Sequence, residues 1–234
     1  MADVMIAGAA EAPIVAGYFA IFAAAGVMTR ELNEPTQAMR PFDERRDGFI
    51  LGEGSAFLVL EEYNHAVSRG AKIYAELAGT GRACDSYHPI ALHPEGRGTV
   101  RSITMALRDG GVRLDEVDYV NVHGSATASN DSIETLALKH VFGNYAHGFS
   151  VSATKPITGH LMGASAALEA AICALSISRS VIPPTINLTN PEAGCDLDYV
   201  VDGARPYPVR AALNLNAGFG GKQSAIIFKR VEGA

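Results

Sequence analysis

Short apolar segments alternate with segments of helical periodicity along most of this chain. The clearest pairs are Tyr119–Val122 followed by Ser132–Phe142, and Phe149–Ser152 followed by Gly163–Ile177. Apolar segments of this length, bounded by turn residues, are typical of buried strands. Strands that alternate with helices favour an open α/β layered sheet whose loops gather at the strand ends.

The same patterns predict the remaining elements. Further strands are predicted at Val4–Ala10, Ser55–Leu60, Lys72–Gly81, Arg210–Asn216 and Gln223–Lys229, and further helices at Glu61–Arg69 and Thr99–Asp109. Ile14–Val27 has apolar residues on every side, which predicts a buried helix. Asn130 or Asp131 is the predicted N-cap of the helix Ser132–Phe142. Asn33–Asp47 is charged and aperiodic, and is predicted to be a loop.

Composition excludes several classes of protein. The chain has 234 residues, of which 48% are hydrophobic, and a net charge of −6, which argues against a nucleic-acid surface. Lys and Arg are scattered singly or in pairs, which argues against a polybasic membrane patch. The apolar segment Tyr18–Met28 is too short to span a bilayer. Cys84, Cys173 and Cys195 are odd in number and show no metal-ligand spacing. We therefore expect no metal site and no disulfide framework, and a cytoplasmic protein.

Three predicted strand-end loops contain side chains suited to catalysis. The first contains His123, the second contains Lys155 and His160, and the third contains Phe219 among glycines. Because strand-end loops of an open α/β sheet converge on one crevice, these side chains could meet there. Two histidines and a lysine suit carbonyl chemistry, since histidine can donate to a developing oxyanion or accept a proton.

Each candidate also has a purely structural interpretation. His123 is compatible with a satisfied structural histidine, and Lys155 beside Pro156 with a solvated surface position. The glycines around Phe219 are compatible with a hairpin turn, or with a mobile turn that swings the ring as a gate.

Four more polar side chains lie beside these loops. Ser125 and Thr127 could cap the turn, or their hydroxyls could bind a polar linker. Glu169 is compatible with an exposed helix former. Asn121 is compatible with a residue that satisfies backbone groups near the loops.

The ensemble of motifs resembles a known family. The motifs are Val-His123-Gly-Ser-Ala-Thr127, Lys155-Pro-Ile-Thr-Gly-His160, Pro-Pro-Thr-Ile-Asn-Leu, Gly-Cys-Asp-Leu-Asp-Tyr, Gly-Phe219-Gly-Gly and Arg-Pro-Phe-Asp-Glu-Arg-Arg-Asp-Gly-Phe. In this order, and over essentially the whole chain, they resemble the elongating, type II β-ketoacyl-acyl-carrier-protein synthases.

The resemblance implies a thiolase-like fold of layered αβα sheets, built from two related halves and usually found as a homodimer. Residues 1–70 would be the end of the N-terminal half, and residues 71–234 the C-terminal half. The implied reaction has two stages. A cysteine first takes an acyl chain from acyl carrier protein, and malonyl carrier protein is then decarboxylated so that its carbanion attacks the acyl thioester.

The resemblance also implies residue roles. His123 and His160 would bind the malonyl thioester carbonyl and promote decarboxylation, and Lys155 would organise the site by hydrogen bonding near His160 and its glutamate partner. Glu169 and Asn121 would be supporting residues. Phe219 would be the gate, with its backbone N–H contributing to the oxyanion hole.

Ser125 and Thr127 would contact the phosphopantetheine arm. That arm belongs to the carrier protein, so no cofactor of the chain's own is implied. Ser125 replaces the threonine usual in the family, and Leu215 and Ala217 depart from the Asn-Ser-Phe run usual before the gate.

The larger departure concerns the nucleophile. The family's cysteine lies in a turn well before the Ala-Asp-Val-Met strand, and none of Cys84, Cys173 or Cys195 stands in a matching motif. We therefore expect that this polypeptide alone does not perform the acyl-enzyme step and is inactive for condensation by itself.

Two functions stay open. The chain is either part of a condensing enzyme of fatty acid or polyketide synthesis, in a homo- or heterodimer, with the cysteine supplied by a partner chain or segment. Alternatively, it is a non-catalytic subunit that binds acyl carrier protein or sets chain length. The joint presence of His123, Lys155 and His160 favours the enzyme.

Overall fold

The computed structural model describes residues 2–231. In chain order the strands are β1 (Val4–Glu11), β2 (Gly54–Glu61), β3 (Glu76–Cys84), β4 (Val117–Asn121), β5 (Ser150–Ser152), β6 (Val181–Ile182), β7 (Asp198–Tyr199), β8 (Arg205–Pro206), β9 (Ala211–Gly218) and β10 (Lys222–Lys229). The α-helices are α1 (Ala16–Ala24), α2 (Pro35–Ala38), α3 (Tyr63–Ser68), α4 (Arg97–Asp109), α5 (Asn130–Phe142), α6 (Lys155–Thr158) and α7 (Ser165–Arg179). None of these helices is both long enough and apolar enough to cross a bilayer.

Six strands form the main sheet, in the order β3-β10-β9-β4-β5-β7. Strand β4 is parallel to both β5 and β9, while β10 pairs antiparallel with β9 and β3. The carboxyl ends of β4, β5 and β9 therefore lie at one edge of the sheet. The loops that contain His123, Lys155 and Phe219 all begin there, so the predicted open α/β sheet with converging loops is confirmed.

Helices cover both faces of this sheet. Ile103 of α4 and Leu138 of α5 pack with Leu213 in one apolar cluster, whereas Ile177 of α7 packs with Tyr119 in another. Helix α4 lies very close to β3, because a Cβ atom at Gly81 would come within 1.9 Å of the Ser102 carbonyl oxygen. The main sheet is thus the middle of a helix–sheet–helix sandwich.

The prediction of a buried helix over Ile14–Val27 is wrong in burial, although a helix is present. Helix α1 covers Ala16–Ala24, Ile21 is 65% exposed, and Phe22 is its one buried residue. β1 and β2 form a separate antiparallel pair on which Ile6 and Phe57 are also exposed. An apolar pattern shows only that a surface would be more stable if buried. Within residues 2–231, no other element covers the apolar surfaces of α1 and of the β1–β2 pair.

The start of α5 also differs from the prediction. Its N-cap is Ser129, so Asn130 and Asp131 lie inside the first turn, where both are buried. The carboxylate of Asp131 accepts the backbone N–H groups of Phe42 and Ala126 instead of capping the helix. Because the Asp131 carboxylate bonds to the distant Phe42 backbone, it is not available as a cap, and the helix begins one or two residues earlier than predicted.

The predicted loop Asn33–Asp47 contains the single helical turn α2 and is firmly anchored. Asp43 is fully buried, and its carboxylate accepts backbone N–H groups from Arg45, Thr189 and Asn190. These hydrogen bonds hold the pKa of Asp43 below its ordinary value even though burial opposes them.

Arg46 joins this segment to the loop that follows β4. Its side chain is 2% exposed, and its guanidinium donates to the carbonyl oxygens of Thr127 at 3.1 Å and Ala128 at 2.7 Å. The same group donates to the Asp43 carbonyl oxygen at 3.1 Å and pairs with Glu192 at 2.7 Å. Arg46 thus anchors the backbone of the loop at Thr127 and Ala128.

Replacing Arg46 with methionine is expected to cost about 3 kcal/mol of unfolding free energy, because it leaves buried carbonyls and a carboxylate without their donor. The matched control is Arg45→Met. The Arg45 side chain is 56% exposed, so its loss should cost less than about 1 kcal/mol. Urea unfolding measures both values. Hydrogen exchange should accelerate at amides 123–131 only in Arg46→Met, and equal behaviour of the two variants would contradict the anchoring role.

Candidate active site

His123 and His160 meet at the carboxyl edge of the sheet. Their ring centroids are 5.3 Å apart and their planes are inclined at 77°. Each residue is only 7% exposed. The predicted meeting of the loops after β4 and β5 is therefore present, with two imidazoles side by side.

Lys155 lies beneath this pair and is fully buried. Its Nζ donates to the His123 carbonyl oxygen at 2.5 Å and to Glu169 Oε1 at 2.6 Å. The interpretation of Lys155 as a solvated surface residue is thereby excluded. Glu169 is 2% exposed, so it is not an exposed helix former either. The ion pair joins α6, α7 and the loop after β4 in a single contact.

The hydrogen bonds of His160 define its tautomer. Nδ1 accepts the Met162 backbone N–H at 3.1 Å and lies 3.2 Å from the Ser165 hydroxyl. A ring nitrogen that accepts holds no proton, so the proton of the neutral ring is on Nε2. Burial first, and then the positive charge of Lys155, hold the pKa of His160 well below its ordinary value. His160 is therefore a neutral donor through Nε2.

His123 is neutral for the same reasons. Burial lowers its pKa most, and the nearby Lys155 and His160 lower it further. Its Nδ1 is buried without a well-aligned hydrogen-bond partner among the described residues. The side chain of Asn216 lies beside the ring and favours the charged form, but this effect is smaller than that of burial. Sequence reasoning did not identify Asn216 as a site residue.

Glu134 holds the turn that presents His123. Its two carboxylate oxygens accept the backbone N–H groups of His123 at 2.7 Å and Gly124 at 2.8 Å, and it also accepts from Asn130. Burial raises the pKa of Glu134 to about 7, against the effect of these hydrogen bonds. From the sequence alone, an acidic residue near the start of a helix indicates only a favourable interaction with the helix dipole. The sequence signal that could have identified this role is the position of Glu134, in the first turns of the helix that directly follows the His123 loop.

Ser125, Thr127 and Asn121 complete the polar set. The hydroxyls of Ser125 and Thr127 lie 2.9 Å apart and both residues line the cavity described below. The Asn121 amide donates to the Tyr119 hydroxyl and to Thr154 Oγ1. Asn121 thus bonds to side chains, and the expectation that it satisfies backbone groups is wrong.

A cavity of about 690 Å³ opens in front of the two histidines. Phe219 forms part of its wall and is 42% exposed. Its ring stacks on Phe22 with centroids 6.0 Å apart, Phe22 meets Phe49 edge-on, and Phe49 meets the ring of His160 at 4.9 Å. Phe219 also stands in the β9–β10 hairpin, so the hairpin interpretation of its glycines is correct and is compatible with a position on the cavity.

The cysteines lie apart from the histidines. Cys173 and Cys195 are buried in the apolar clusters, where burial raises the pKa of each thiol. Cys84 is exposed and its Sγ is 3.3 Å from the Gly220 carbonyl oxygen. None of the three lines the cavity among the described residues. The cavity therefore offers neutral N–H donors for a carbonyl oxygen, and no thiol nucleophile from residues 2–231.

Comparisons with known proteins agree with this geometry. Residues 1–66 match the profile described as the β-ketoacyl synthase N-terminal domain, and residues 74–189 match that of the β-ketoacyl synthase C-terminal domain. Two similar relatives are 3-oxoacyl-[acyl-carrier-protein] synthase 2 from Synechocystis sp., 46% identical over 99% of this chain and 56% of the relative, and the tetracenomycin polyketide synthase ketoacyl synthase alpha subunit from Streptomyces glaucescens, 44% identical over 98% and 54%. The chain spans about half the length of the curated relatives it matches.

Solved structures agree as well. A ketosynthase complex described as a type II PKS acyl-carrier protein with its ketosynthase bound to the hexaketide has a TM-score of 0.96 and 41% identity, over 99% of this chain and 57% of that one. A β-ketoacyl synthase from Burkholderia phymatum has a TM-score of 0.91 and 36% identity, over 98% and 55%. The expected thiolase-like layered α/β fold is confirmed, and the chain belongs to the β-ketoacyl synthase family.

Proposed function

We propose that this chain is part of a β-ketoacyl-acyl-carrier-protein synthase, an acyltransferase that condenses malonyl carrier protein with an acyl thioester as CO₂ is lost. The observation that supports this most is the pair of buried, neutral histidines at the inner end of the cavity, with the Lys155–Glu169 pair directly beneath. A non-catalytic scaffold has no need of such a pair.

The histidines would act on the malonyl thioester. The carbonyl oxygen accepts N–H groups from His160 Nε2 and from His123. The bond to the carboxylate carbon then breaks, CO₂ leaves, and the electron pair is delocalised onto the carbonyl oxygen as an enolate. Fixed neutral donors in a buried site stabilise that developing charge without reorganisation. The enolate carbon attacks the acyl thioester, and the thiolate of the acylated cysteine is the leaving group.

Other cavity residues would handle the substrate. Phe219 would be the gate, since its exposed ring rests on Phe22 and is followed by two glycines with positive φ. Its backbone N–H would contribute to the oxyanion hole. Ser125 and Thr127 would bind the phosphopantetheine arm, supported by their position on the cavity wall. Glu169 and Asn121 would support the site from beneath.

We propose that a partner chain or segment supplies the nucleophilic cysteine, and that the isolated chain is inactive for condensation. The exposed apolar surfaces of α1 and of the β1–β2 pair support such a partner, as does the absence of a thiol from the cavity wall of the described residues. The expected association is a homo- or heterodimer in the cytoplasm. Structural relatives include a ketosynthase described as in complex with its chain length factor, from Xenorhabdus doucetiae.

The domain division is proposed near residue 70. The two matching profiles end at residue 66 and begin at residue 74, which supports an N-terminal part over 1–70 and a C-terminal part over 71–234. The alternative function, a non-catalytic chain-length or carrier-binding subunit, would also fit a cavity wall without a thiol. The intact His123, Lys155 and His160 set favours the catalytic function.

Decarboxylation of malonyl carrier protein tests this function. The chain is assayed alone and with a cysteine-bearing partner, and CO₂ release is followed. His160→Ala should lower the rate at least about 100-fold, because one of two oxyanion donors is lost. His140→Ala, an exposed position on α5, is the matched control and should leave the rate unchanged. Absence of decarboxylation both with and without the partner would rule the catalytic function out.

The pH dependence of the same reaction is a second prediction. Burial lowers the pKa of both histidines, so they stay neutral as the pH falls through the ordinary histidine value of about 6.5. The acidic limb of kcat should therefore lie well below pH 6.5. Burial raises the pKa of Glu134 to about 7, so the profile is also measured in Glu134→Gln. A limb centred near 6.5 in both proteins would show that a histidine of ordinary pKa is required, and would contradict the proposed neutral donors.

A further inference from the structure

The charged side chains that line the cavity within the described part of the chain are both cationic. Arg82 and Lys222 line the cavity together with uncharged residues and the two histidines, and no aspartate or glutamate of residues 2–231 lines it. The chain as a whole has a net charge of −6, so the wall has the opposite sign to the molecule. We propose that Arg82 and Lys222 form a phosphate-binding subsite at the exposed end of the cavity, which takes the phosphate ester of a pantetheine arm.

Strand register places the two cations together. Arg82 of β3 lies opposite Ser224 of β10, two residues beyond Lys222 on the same strand. Since alternate residues of a strand share a face, Arg82 and Lys222 project from the same face of the sheet. Diagonal neighbours of this kind are about 7–8 Å apart, within reach of aromatic and long side chains. Two flexible cationic side chains at that spacing can contact one phosphate.

The subsite is separate from the reacting end. Asn216 lies beside His123 and pairs across the sheet with Ser224, which pairs in turn with Arg82. Arg82 is on β3 and Asn216 is on β9, with β10 between them. Since neighbouring strands lie about 4.8 Å apart, the backbones of these two residues are about 10 Å apart. A malonyl group held at the histidines does not extend that far, whereas an anion at the far end of a linker does.

Both cations are available to a ligand. Arg82 and Lys222 are exposed, and neither takes part in an ion pair with another residue in the part of the chain that the structure describes. Arginine binds phosphate through a planar fork of N–H donors and lysine as a point charge. The pair therefore offers a phosphate complementary donors with no carboxylate to displace.

This inference rests on the proposed function for the presence of a thioester arm. A phosphate on a pantetheine arm is shared by a holo carrier protein and by coenzyme A, and the test separates these sources. Pantetheine, 4′-phosphopantetheine and coenzyme A are titrated against the full chain, and binding is followed by calorimetry or ligand-observed NMR.

Phosphopantetheine should bind about 10-fold more tightly than pantetheine, as expected for hydrogen bonds to a charged group. The double variant Arg82→Met/Lys222→Met should remove that difference and leave pantetheine binding unchanged. The matched control is Arg101→Met, which should keep the difference. Arg101 is exposed on α4, and α4 packs on the face of β3 that Gly81 presents, opposite to the face of Arg82. The difference should shrink as salt is raised.

The subsite is overturned if phosphopantetheine shows no measurable binding, if it binds no more tightly than pantetheine, or if the double variant retains the difference. Coenzyme A binding beyond that of phosphopantetheine, lost in the double variant, supports the subsite with coenzyme A as its source. Equal binding of the two supports it with the carrier-protein arm. The titration needs no turnover, so its outcome is distinct from failure of decarboxylation.

Discussion

The ion pair between Lys155 and Glu169 is the contact on which the candidate site depends. A buried ammonium is tolerated only when its donors are satisfied, and Lys155 places one on Glu169 and another on the His123 carbonyl oxygen. This contact ties α7 and α6 to the loop after β4, so loss of either charged partner would leave an uncompensated charge under the histidines. Burial lowers the pKa of both imidazoles most, and the charge of the same ammonium lowers it further, so both rings are neutral.

The rest of the fold places the other site residues around the Lys155 ammonium. The parallel strands β4, β5 and β9 end at one edge of the sheet. His123 follows β4, the segment with Lys155 and His160 follows β5, and the hairpin with Phe219 follows β9. Glu134 and Arg46 then fix the loop after β4 from two directions. The result is a set of hydrogen-bond donors of defined geometry facing a cavity, which suits the carbanion-forming part of a condensation.

Local pattern in the sequence was sufficient for the longer strands and helices and for the meeting of the strand-end loops, because these follow from periodicity and from the topology of α/β sheets. The two-residue strands β6, β7 and β8 and the single helical turns α2 and α6 were not predicted, since they are too short to show a period. It was insufficient for contacts between distant segments. Arg46 reaches Thr127 across 81 positions of sequence, and no local pattern marks such a pair. The burial of Lys155 was undecided for the same reason, since its partner Glu169 lies on another helix. Helix α1 was predicted to be buried because its residues are apolar on every side. An apolar pattern does not show whether another element of the chain covers the helix, and α1 is largely exposed.

The most direct test of this account is the titration of the two histidines by ¹⁵N NMR of their ring nitrogens, in the natural chain and in Lys155→Met. The account predicts that His160 remains neutral, with its proton on Nε2, well below pH 6.5. It also predicts that removal of the Lys155 charge raises the pKa of both His123 and His160. A histidine pair that titrates near 6.5 in the natural chain, or that is unaffected by Lys155→Met, would contradict it.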